Sequence, residues 1–369
     1  MQTQLGKTRG SQTRFFSFAD TVEARNYAGT NDPHGWMGLR FQLQPGGPPN
    51  DVVLHLNLRD PSSVLQQEAI GIVGVNLIFA AFYQLQTKES FLKGLAEDVV
   101  RDRIEIDFAE VRGPAFSGWD HQTLLAYLAH AGFAEAVWFS AKGETLPPGE
   151  GLHKKAAVLA PGYFAHVDAT HAQIHSDLLA AGVQELRKEL GEAVAAPIGF
   201  FCLTAAALEP GAPTPEIPDL LNRINALLGQ GGDVLLFREP QLYAMTGLVN
   251  RYTSAPVRFV VGLSLLIRAF EDAYGNLEGR RFEALARLFA QNVRIYAYPM
   301  TLVDLREWLK DNSAASWEWS ETTGLLTANE LRHKPPLGHL YAYLLASKFL
   351  VSIETPASST TRSESASQG

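Results

Sequence analysis

The sequence predicts an α/β protein built from two Rossmann-like βαβαβ halves with mainly parallel sheets. Strand and helix patterns alternate between residues 52 and 140, and they alternate again between residues 219 and 298. A segment with four prolines, residues 209–218, stands between these two stretches. Such alternation is typical of a parallel sheet covered by helices, and clustered prolines punctuate a chain between its units.

The first half begins with a strand at residues 52–58, where apolar side chains recur at alternate positions. Asp60 and Pro61 suit the start of a helix, because aspartate caps free N–H groups and proline fits the first helical position. Apolar residues then follow at helical spacing as far as Tyr83. The same patterns predict the other elements of this half, namely helices at 90–100 and 122–131 and strands at 104–111 and 136–140.

The second half repeats the plan beyond the proline-rich segment. Its predicted helices are 219–228, 241–252, 278–290 and 337–348, and its predicted strands are 234–237, 257–263 and 293–298. The predicted organisation is an N-terminal arm at 1–35, a first half at 36–165, a connecting helix, strand and linker at 166–218, a second half at 219–352, and a tail at 353–369. The tail is rich in Ser and Thr without periodicity, so we expect it to be disordered.

Composition excludes several classes of protein. Of the 369 residues, 46% are hydrophobic and 19% charged, which is typical of a globular chain that builds its own core. A net charge of -8 argues against a nucleic-acid-binding surface. The single cysteine, Cys202, excludes a disulfide framework, and its apolar neighbours favour an inert core thiol over a nucleophile.

The location predicted from the sequence is cytoplasmic, without a membrane segment. No apolar stretch follows the basic residues near the N-terminus. The most apolar run, residues 69–83, is shorter than a bilayer-spanning helix and is interpreted as a buried core helix.

Familiar short motifs are incomplete. Gly6-Lys7-Thr8 lacks the first glycine and the preceding strand of a phosphate-binding loop. The pair His171 and His175 has helical i,i+4 spacing, which suits either two zinc ligands or two exposed helix histidines, and no third ligand is positioned by the sequence. The segment at residues 31–36, which contains His34, suits either an ordered loop or the wall of a pocket.

Polar residues at predicted strand ends are the candidate site, because open parallel sheets bind ligands there. Arginine suits recognition of phosphate or carboxylate, so Arg59, Arg238 and Arg251 are predicted to hold an anion. Asp107 and Glu239 are the candidate catalytic residues, as a general base or as ligands for Mg²⁺. The same ligand would be bound by His55 and by the helix start at Glu278 and Gly279, where free N–H groups suit phosphate. Ion pairs and helix caps are the alternative interpretation of these residues.

Several segments resemble a family of uncharacterised bacterial proteins. They include NDPHGWMGLRF at 31–41, QQEAIGIVGVNLIFAAFY at 66–83, RIEIDFAEVRGPAF at 103–116 and LEGRRFEALARLF at 277–289. The family often carries the label nicotinamide mononucleotide (nicotinate-nucleotide) adenylyltransferase, and sometimes TonB-dependent receptor. The resemblance implies a shared α/β fold and a nucleotide-like ligand.

Neither label transfers its chemistry to this chain. The adenylyltransferase signature HxGH is expected early in the first strand–helix unit, whereas the nearest string here ends at His339 and lacks the first histidine. A receptor of the second kind needs an outer-membrane barrel, which this pattern of elements does not predict. In the resemblance, Asp107, Arg251, Glu278 and Gly279 are the positions of interest.

The predicted function is binding of a phosphorylated small molecule or nucleotide, with nucleotidyl or other group transfer as the reaction class. The alternative is a non-catalytic interaction protein that uses the α/β fold as a scaffold. Three tryptophans, Trp308, Trp317 and Trp319, supply the aromatic anchors that interfaces use, so a protein partner or a second copy of the chain remains open. Their other interpretation is a loop packed over the sheet.

Overall fold

A computed structural model gives the fold. It describes residues 2–9, 14–26, 28, 31–99, 103–144, 146–162, 164, 169–191, 195–206, 214–272, 274–310, 312–320 and 324–354. Within these residues the helices α1 to α12 are Gln2–Arg9, Ser63–Tyr83, Lys88–Leu95, His121–His130, Pro148–Leu152, Ala169–Leu190, Ile217–Leu228, Leu242–Tyr252, Leu263–Glu271, Arg280–Leu288, Leu302–Trp308 and Leu337–Ala346.

The strands form two main sheets. Strands β1 to β15 are Phe15–Glu23, His34–Phe41, Asn50–Leu58, Ile104–Arg112, Ala136–Phe139, Ala157–Pro161, Ile198–Thr204, Asp233–Phe237, Val257–Gly262, Val293–Tyr298, Met300–Thr301, Trp317–Trp319, Leu325–Leu326, Leu331–His333 and Leu350–Ser352. The four-stranded sheet has the order β1-β2-β3-β4 and is antiparallel throughout. The seven-stranded sheet has the order β15-β10-β9-β6-β7-β8-β5, in which only β5 is antiparallel to its neighbour.

Side chains that alternate along the strands of the seven-stranded sheet build two cores. Val158 and Phe201 face the core shared with the four-stranded sheet and with α2, α3, α4 and α7. Their neighbours Leu159 and Phe200 face the opposite core, which α8, α9, α10 and α12 cover. Both faces of this sheet are therefore buried, as is typical of parallel α/β sheets.

The mixed α/β class is confirmed, but two Rossmann-like halves are not. A single crossover helix would return the chain to the start of β3 and make the next strand parallel. Here the helices α2 and α3 pack together and bring the chain back beside the end of β3, so that Leu58 pairs with Ile104. As a result β4 is antiparallel to β3, and the predicted strand at 136–140 forms β5 in the other sheet.

The proline-rich segment does not separate two sheets. Strand β7 precedes it and β8 follows it, and these strands are parallel neighbours, with Phe201 opposite Val234. Residues 209–213 of this segment, and 355–369 of the predicted tail, lie outside the described residues.

The N-terminal arm contributes a strand that the sequence analysis did not predict. Strand β1 lies at the edge of the four-stranded sheet and pairs with β2 from Phe15↔Phe41 to Glu23↔His34. Most of β1 is exposed, whereas Met37, Leu39 and Phe41 of β2 are buried at alternate positions. That alternation is a strand signal, and it directly follows residues 31–36, the segment interpreted as a loop or pocket wall.

Helix α2 is long and apolar enough to span a membrane by length and composition. It packs against β1, β2 and α3, and Ala69, Val73 and Leu77 on its inner face are buried in the first core. One face of this helix therefore lies in the core, as predicted. The helix begins at Ser63, however, so it is longer than the apolar run at 69–83 indicated. The cytoplasmic location and the absence of a membrane segment stay predictions.

Candidate functional site

Three polar side chains form a continuous chain on one face of the four-stranded sheet. His55 Nδ1 lies 2.6 Å from Oδ1 of Asp107, and His55 Nε2 lies 2.9 Å from Nδ1 of His34. The three residues come from the adjacent strands β2, β3 and β4, whose antiparallel pairing brings them side by side. We call this set the histidine chain.

The inner end of the histidine chain is buried. His55 and Asp107 are 2% and 1% exposed, and Asn57 Nδ2 donates a 2.8 Å hydrogen bond to the second carboxylate oxygen, Oδ2, of Asp107. Both oxygens of the carboxylate are therefore satisfied, which fixes its orientation and that of His55. At the outer end His34 is half-buried, and no hydrogen bond to its Nε2 is found among the described residues.

The surroundings shift the pKa values of the two imidazoles in opposite directions. Burial disfavours the charged form of His55, but attraction to Asp107 and the hydrogen bond with it outweigh burial and raise the pKa of His55. Burial, and then the neighbouring His55, lower the pKa of His34. These shifts favour a positive charge on His55 over one on His34.

A second cluster of four charged residues borders the chain. Nη2 of Arg59 lies 2.7 Å from Oε2 of Glu105 and 2.8 Å from Oε1 of Glu135, and Nη2 of Arg251 lies 2.8 Å from Oε2 of Glu135. Glu105 is buried, and its Oε1 also accepts the backbone N–H of Glu135 at 2.6 Å. Burial raises the pKa of Glu105, although Arg251 and Arg59 oppose that shift.

This charged cluster joins the two sheets. Glu105 belongs to β4 of the four-stranded sheet, Glu135 directly precedes β5 of the seven-stranded sheet, and Arg251 lies in the last turn of α8. Because each guanidinium faces two carboxylates, much of its charge is neutralised inside the protein.

The histidine chain opens into a cavity of about 660 Å³, which we call the histidine cavity. The four-stranded sheet contributes His34, His55 and Asn57 to its wall, and the opposite wall comes from α5, α8 and the residues that follow them. Its polar wall residues outside the sheet include Asp32, Glu150, His153, Lys154, Asn250, Arg251, Tyr252 and Gln291. Burial raises the pKa of Tyr252 well above its ordinary value, so its phenol stays protonated.

A neighbouring cavity of about 520 Å³ shares Asn250, Arg251 and Gln291 with the histidine cavity. Its wall adds Arg238, Glu239 and Arg287, together with Glu135. We call it the arginine cavity. The shared residues make the two cavities adjacent compartments of one cleft.

The structure brings together half of the site residues predicted from the sequence. His55, Asp107, Arg59 and Arg251 lie in or directly behind the histidine cavity. Arg59 does not line that cavity, because it faces Glu105 and Glu135.

Two other predicted pairs lie apart from the histidine chain. Arg238 and Glu239 line the arginine cavity, where Arg238 Nε lies 3.2 Å from Oε1 of Glu239. Glu278 and Gly279 line neither cavity. The N–H of Gly279 already donates to Oε2 of Glu283 at 2.8 Å, so the start of α10 is capped from within the helix.

His34, Glu135 and Tyr252 belong to the site but were not predicted from the sequence. His55 and Asn57 are two apart in one strand, and Glu105 and Asp107 are two apart in the next. These pairs mark the region of the sheet in which His34 lies, opposite Asn57. Polar side chains at alternate positions of apolar strands share one face, and this spacing points to a polar site on the sheet. Glu135 and Tyr252 carry no such signal, because tertiary packing alone brings them there.

Other sequence candidates lie elsewhere. Cys202 is buried in β7, and burial raises the pKa of its thiol, in agreement with an inert core position. The side chain of His171 lies outside the described residues, while the ring of His175 packs on Phe164. No group of three or more His, Cys, Asp or Glu side chains able to hold a metal occurs in the described part of the chain.

The tryptophans proposed as interface anchors differ in their environment. Trp317 is buried, and its ring contacts those of Phe270, His333 and Tyr341. Trp308 and Trp319 are partly buried against the same core. Trp317 therefore packs as the core side chain of a folded segment, and its ring is not free for a partner.

Searches for related proteins give no match: no family model, no curated protein and no solved structure is similar to this chain. The resemblance to the bacterial family described above therefore stays a prediction.

Proposed function

We propose that the protein binds a phosphorylated small molecule in the cleft formed by the histidine and arginine cavities, and that it acts on this ligand as a group-transfer enzyme with His34 as the general base. The observation that supports the proposal is the chain from Asp107 through His55 to His34, which leads from a buried carboxylate to the wall of a cavity of about 660 Å³.

The proton step follows from the hydrogen bonds. Above the pKa of His55 both imidazoles are neutral: His55 donates from Nδ1 to Asp107, and its Nε2 accepts the Nδ1 proton of His34. The lone pair of His34 Nε2 then faces the cavity. It takes a proton from a hydroxyl group or a water molecule, while the Nδ1 proton of His34 passes to Nε2 of His55.

The positive charge produced by this step ends on His55, beside Asp107. The raised pKa of His55 and the lowered pKa of His34 favour that distribution. The hydroxyl or water oxygen that has lost its proton attacks the phosphorus of the bound ligand. As the new P–O bond forms, the P–O bond to the leaving oxygen breaks, and the leaving oxygen takes up the proton held by the histidine chain. A positioned general base of this kind accelerates a reaction by roughly 10²- to 10⁴-fold.

Local cations supply the affinity for an anion. Lys154 lines the histidine cavity, and Arg238 and Arg287 line the arginine cavity. Arg251 lines both cavities but contributes less, because Glu105 and Glu135 neutralise much of its charge. A protein with a net charge of -8 attracts anions only where such groups converge. In this proposal the phosphate lies towards the arginine cavity and the reacting hydroxyl or water lies at His34. Asp107 acts as a positioning residue, and Glu239 orients Arg238.

A thermal-shift screen tests binding. The probes are inorganic phosphate, ribose 5-phosphate, glucose 6-phosphate and nucleoside monophosphates, each with and without MgCl₂. A ligand at a hundred times its Kd adds about 2.7 kcal/mol to the free energy of unfolding. Stabilisation by at least one phosphorylated compound, reduced in Lys154→Gln, supports the proposal, and no stabilisation by any of them contradicts it.

Turnover of the compound that binds then tests the general base. His34→Gln should retain binding and lose about 10²-fold or more of the rate. His130→Gln, a change at an exposed histidine at the end of α4, is the matched control and should behave as wild type. An undiminished rate in His34→Gln contradicts the assignment of the base.

A further inference from the structure

A second cavity lies at the carboxyl ends of the central parallel strands. It has a volume of about 310 Å³, and its wall includes the last residues of β6, β9 and β10, namely Pro161, Gly262 and Tyr298. Cys202 and Thr204 at the end of β7 complete this edge. No described residue lines both this cavity and the histidine cavity.

This position is the topological switch point of the seven-stranded sheet. From β6 the chain adds β7 and β8 on one side, and it then adds β9, β10 and β15 on the other. Helices α6 and α7 belong to one face, whereas α8, α9 and α10 belong to the other. Open α/β sheets bind ligands in the crevice that such a reversal creates. We call this space the switch-point cavity.

The wall of the switch-point cavity combines aromatic rings with a cation. Tyr274, Tyr298 and Trp308 line it, and the hydroxyl of Tyr274 donates a 2.9 Å hydrogen bond to the carbonyl of Ala269. Helix α9 contributes Ser264 and Arg268 to the same space. Aromatic walls favour a planar ring, and a guanidinium and a hydroxyl in the same wall favour an anionic oxygen group.

The other charged and polar groups at the wall restrict the ligand further. Asp272 and Gln241 line the cavity and suit hydroxyl or N–H donors of the ligand. The volume accommodates one ring system with one anionic substituent, and it is too small for a dinucleotide.

We propose that the switch-point cavity binds a small molecule with a planar ring and a single anionic group, either phosphate or carboxylate. The ring lies against Tyr298 and Trp308, and the anion lies at Arg268 and Ser264. Helix α8 begins beside this cavity at Leu242 and ends at Tyr252 in the histidine cavity, so one helix borders both sites.

Isothermal titration calorimetry with the full chain tests this proposal. AMP and UMP represent the phosphate source, and phenylpyruvate and 4-hydroxybenzoate represent the carboxylate source. Adenosine tests the need for the anion, and NAD tests the size limit. We expect saturable binding of at least one anionic ring compound, weaker binding of its uncharged counterpart, and no binding of NAD in this cavity.

Variants assign the binding to this cavity. Arg268→Gln should weaken it about tenfold or more, because a charge-assisted hydrogen bond is lost, while Arg332→Gln, at an exposed arginine of β14, should leave it unchanged. Leu265→Trp fills the cavity from its wall without removing a charge, and it should abolish binding in a chain that still unfolds cooperatively. His34→Gln should bind the compound as wild type does.

Three results would overturn the proposal. The first is that none of the four anionic compounds binds saturably. The second is that binding survives Leu265→Trp. The third is that His34→Gln or Arg332→Gln weakens binding as much as Arg268→Gln does. Only His34→Gln alters the histidine cavity. A negative result for ligand binding in the switch-point cavity is therefore distinguishable from a negative result for His34 as the general base.

Discussion

Nδ1 of His34 lies 2.9 Å from Nε2 of His55, and the other ring nitrogen of His55 lies 2.6 Å from a carboxylate oxygen of Asp107. This arrangement gives two histidines on neighbouring strands different tasks. His55 carries the positive charge because Asp107 faces it, and His34 presents its free nitrogen to the cavity. When His34 accepts a proton at the cavity wall, the resulting positive charge is therefore stabilised on His55 inside the sheet.

Removing the charge of Asp107 should change the titration of His55. In Asp107→Asn, the charge of Asp107 no longer opposes the effect of burial, so the pKa of His55 should fall from its raised wild-type value, with Glu150 and Glu105 left as the weaker attractions. Histidine ring NMR signals, assigned with His34→Gln and His55→Gln, measure this pKa. A pKa of His55 unchanged by the substitution would show that Asp107 does not govern its protonation.

The same ion pair should make stability depend on pH in a defined direction. The folded-state pKa of His55 is raised, so its contribution is present in full below pH 6.5 and is lost as the pH rises through the folded-state value. The difference in unfolding free energy between wild type and His55→Gln should therefore shrink as the pH increases through this range. Urea unfolding at a series of pH values measures it, and a difference that grows with pH would contradict the assignment.

Arg59 should stabilise the protein by holding the buried carboxylate of Glu105. In Arg59→Gln that carboxylate loses its partner at 2.7 Å and keeps only Arg251, at 3.7 Å. Removing one partner of a buried ion pair costs on the order of 3 kcal/mol, because the remaining charge is left in a buried place. Urea unfolding should show such a loss, while the matched change Arg112→Gln at an exposed site should stay within about 0.5 kcal/mol of wild type. Equal effects of the two variants would contradict the role given to Arg59.

Two glycine substitutions should have opposite effects on stability. A Cβ at Gly151 of α5 would clash with the ring of Trp138 in β5, so Gly151→Ala should cost about 1–3 kcal/mol and displace the cavity wall at Glu150. A Cβ at Gly71, within α2, meets no atom within 4 Å. Because alanine is the better helix former, Gly71→Ala should add about 1 kcal/mol to the free energy of unfolding. Thermal or urea unfolding of both variants checks the signs, and destabilisation by Gly71→Ala would contradict the open environment of that position.

Local patterns predicted many individual elements. The strand predicted at 52–58 is β3, the one predicted at 104–111 is β4, and those at 234–237 and 293–298 are β8 and β10. Their periodicity is a property of a few consecutive residues and is visible in the sequence. The pairing of β3 with β4 was not visible, because it depends on how the helices between them pack. The predicted strand at 257–263 ends one residue earlier, and Leu263 begins helix α9, which the sequence analysis missed.

The candidate site was predicted in part, and for a different reason from the one the structure gives. His55 and Asp107 were selected as strand-end residues of a parallel sheet, yet they meet because they lie on one face of neighbouring antiparallel strands. Arg251 approaches Glu135 across 116 positions of sequence, a contact that no local pattern contains. The start of α10 at Gly279 had the right residues for an anion site, but the Glu283 side chain occupies its N–H.

The most direct test of His34 as the general base is the protonation of the histidine chain in the wild-type protein. Long-range ¹H–¹⁵N NMR spectra of the histidine rings, recorded above the pKa of His55, distinguish the two neutral tautomers. We expect His34 and His55 both to carry their proton on Nδ1, which leaves Nε2 of His34 free to accept a proton, and we expect His55 to become charged before His34 as the pH falls. A proton on Nε2 of His34 above this pKa, or charging of His34 first, would contradict the assignment of His34 as the general base.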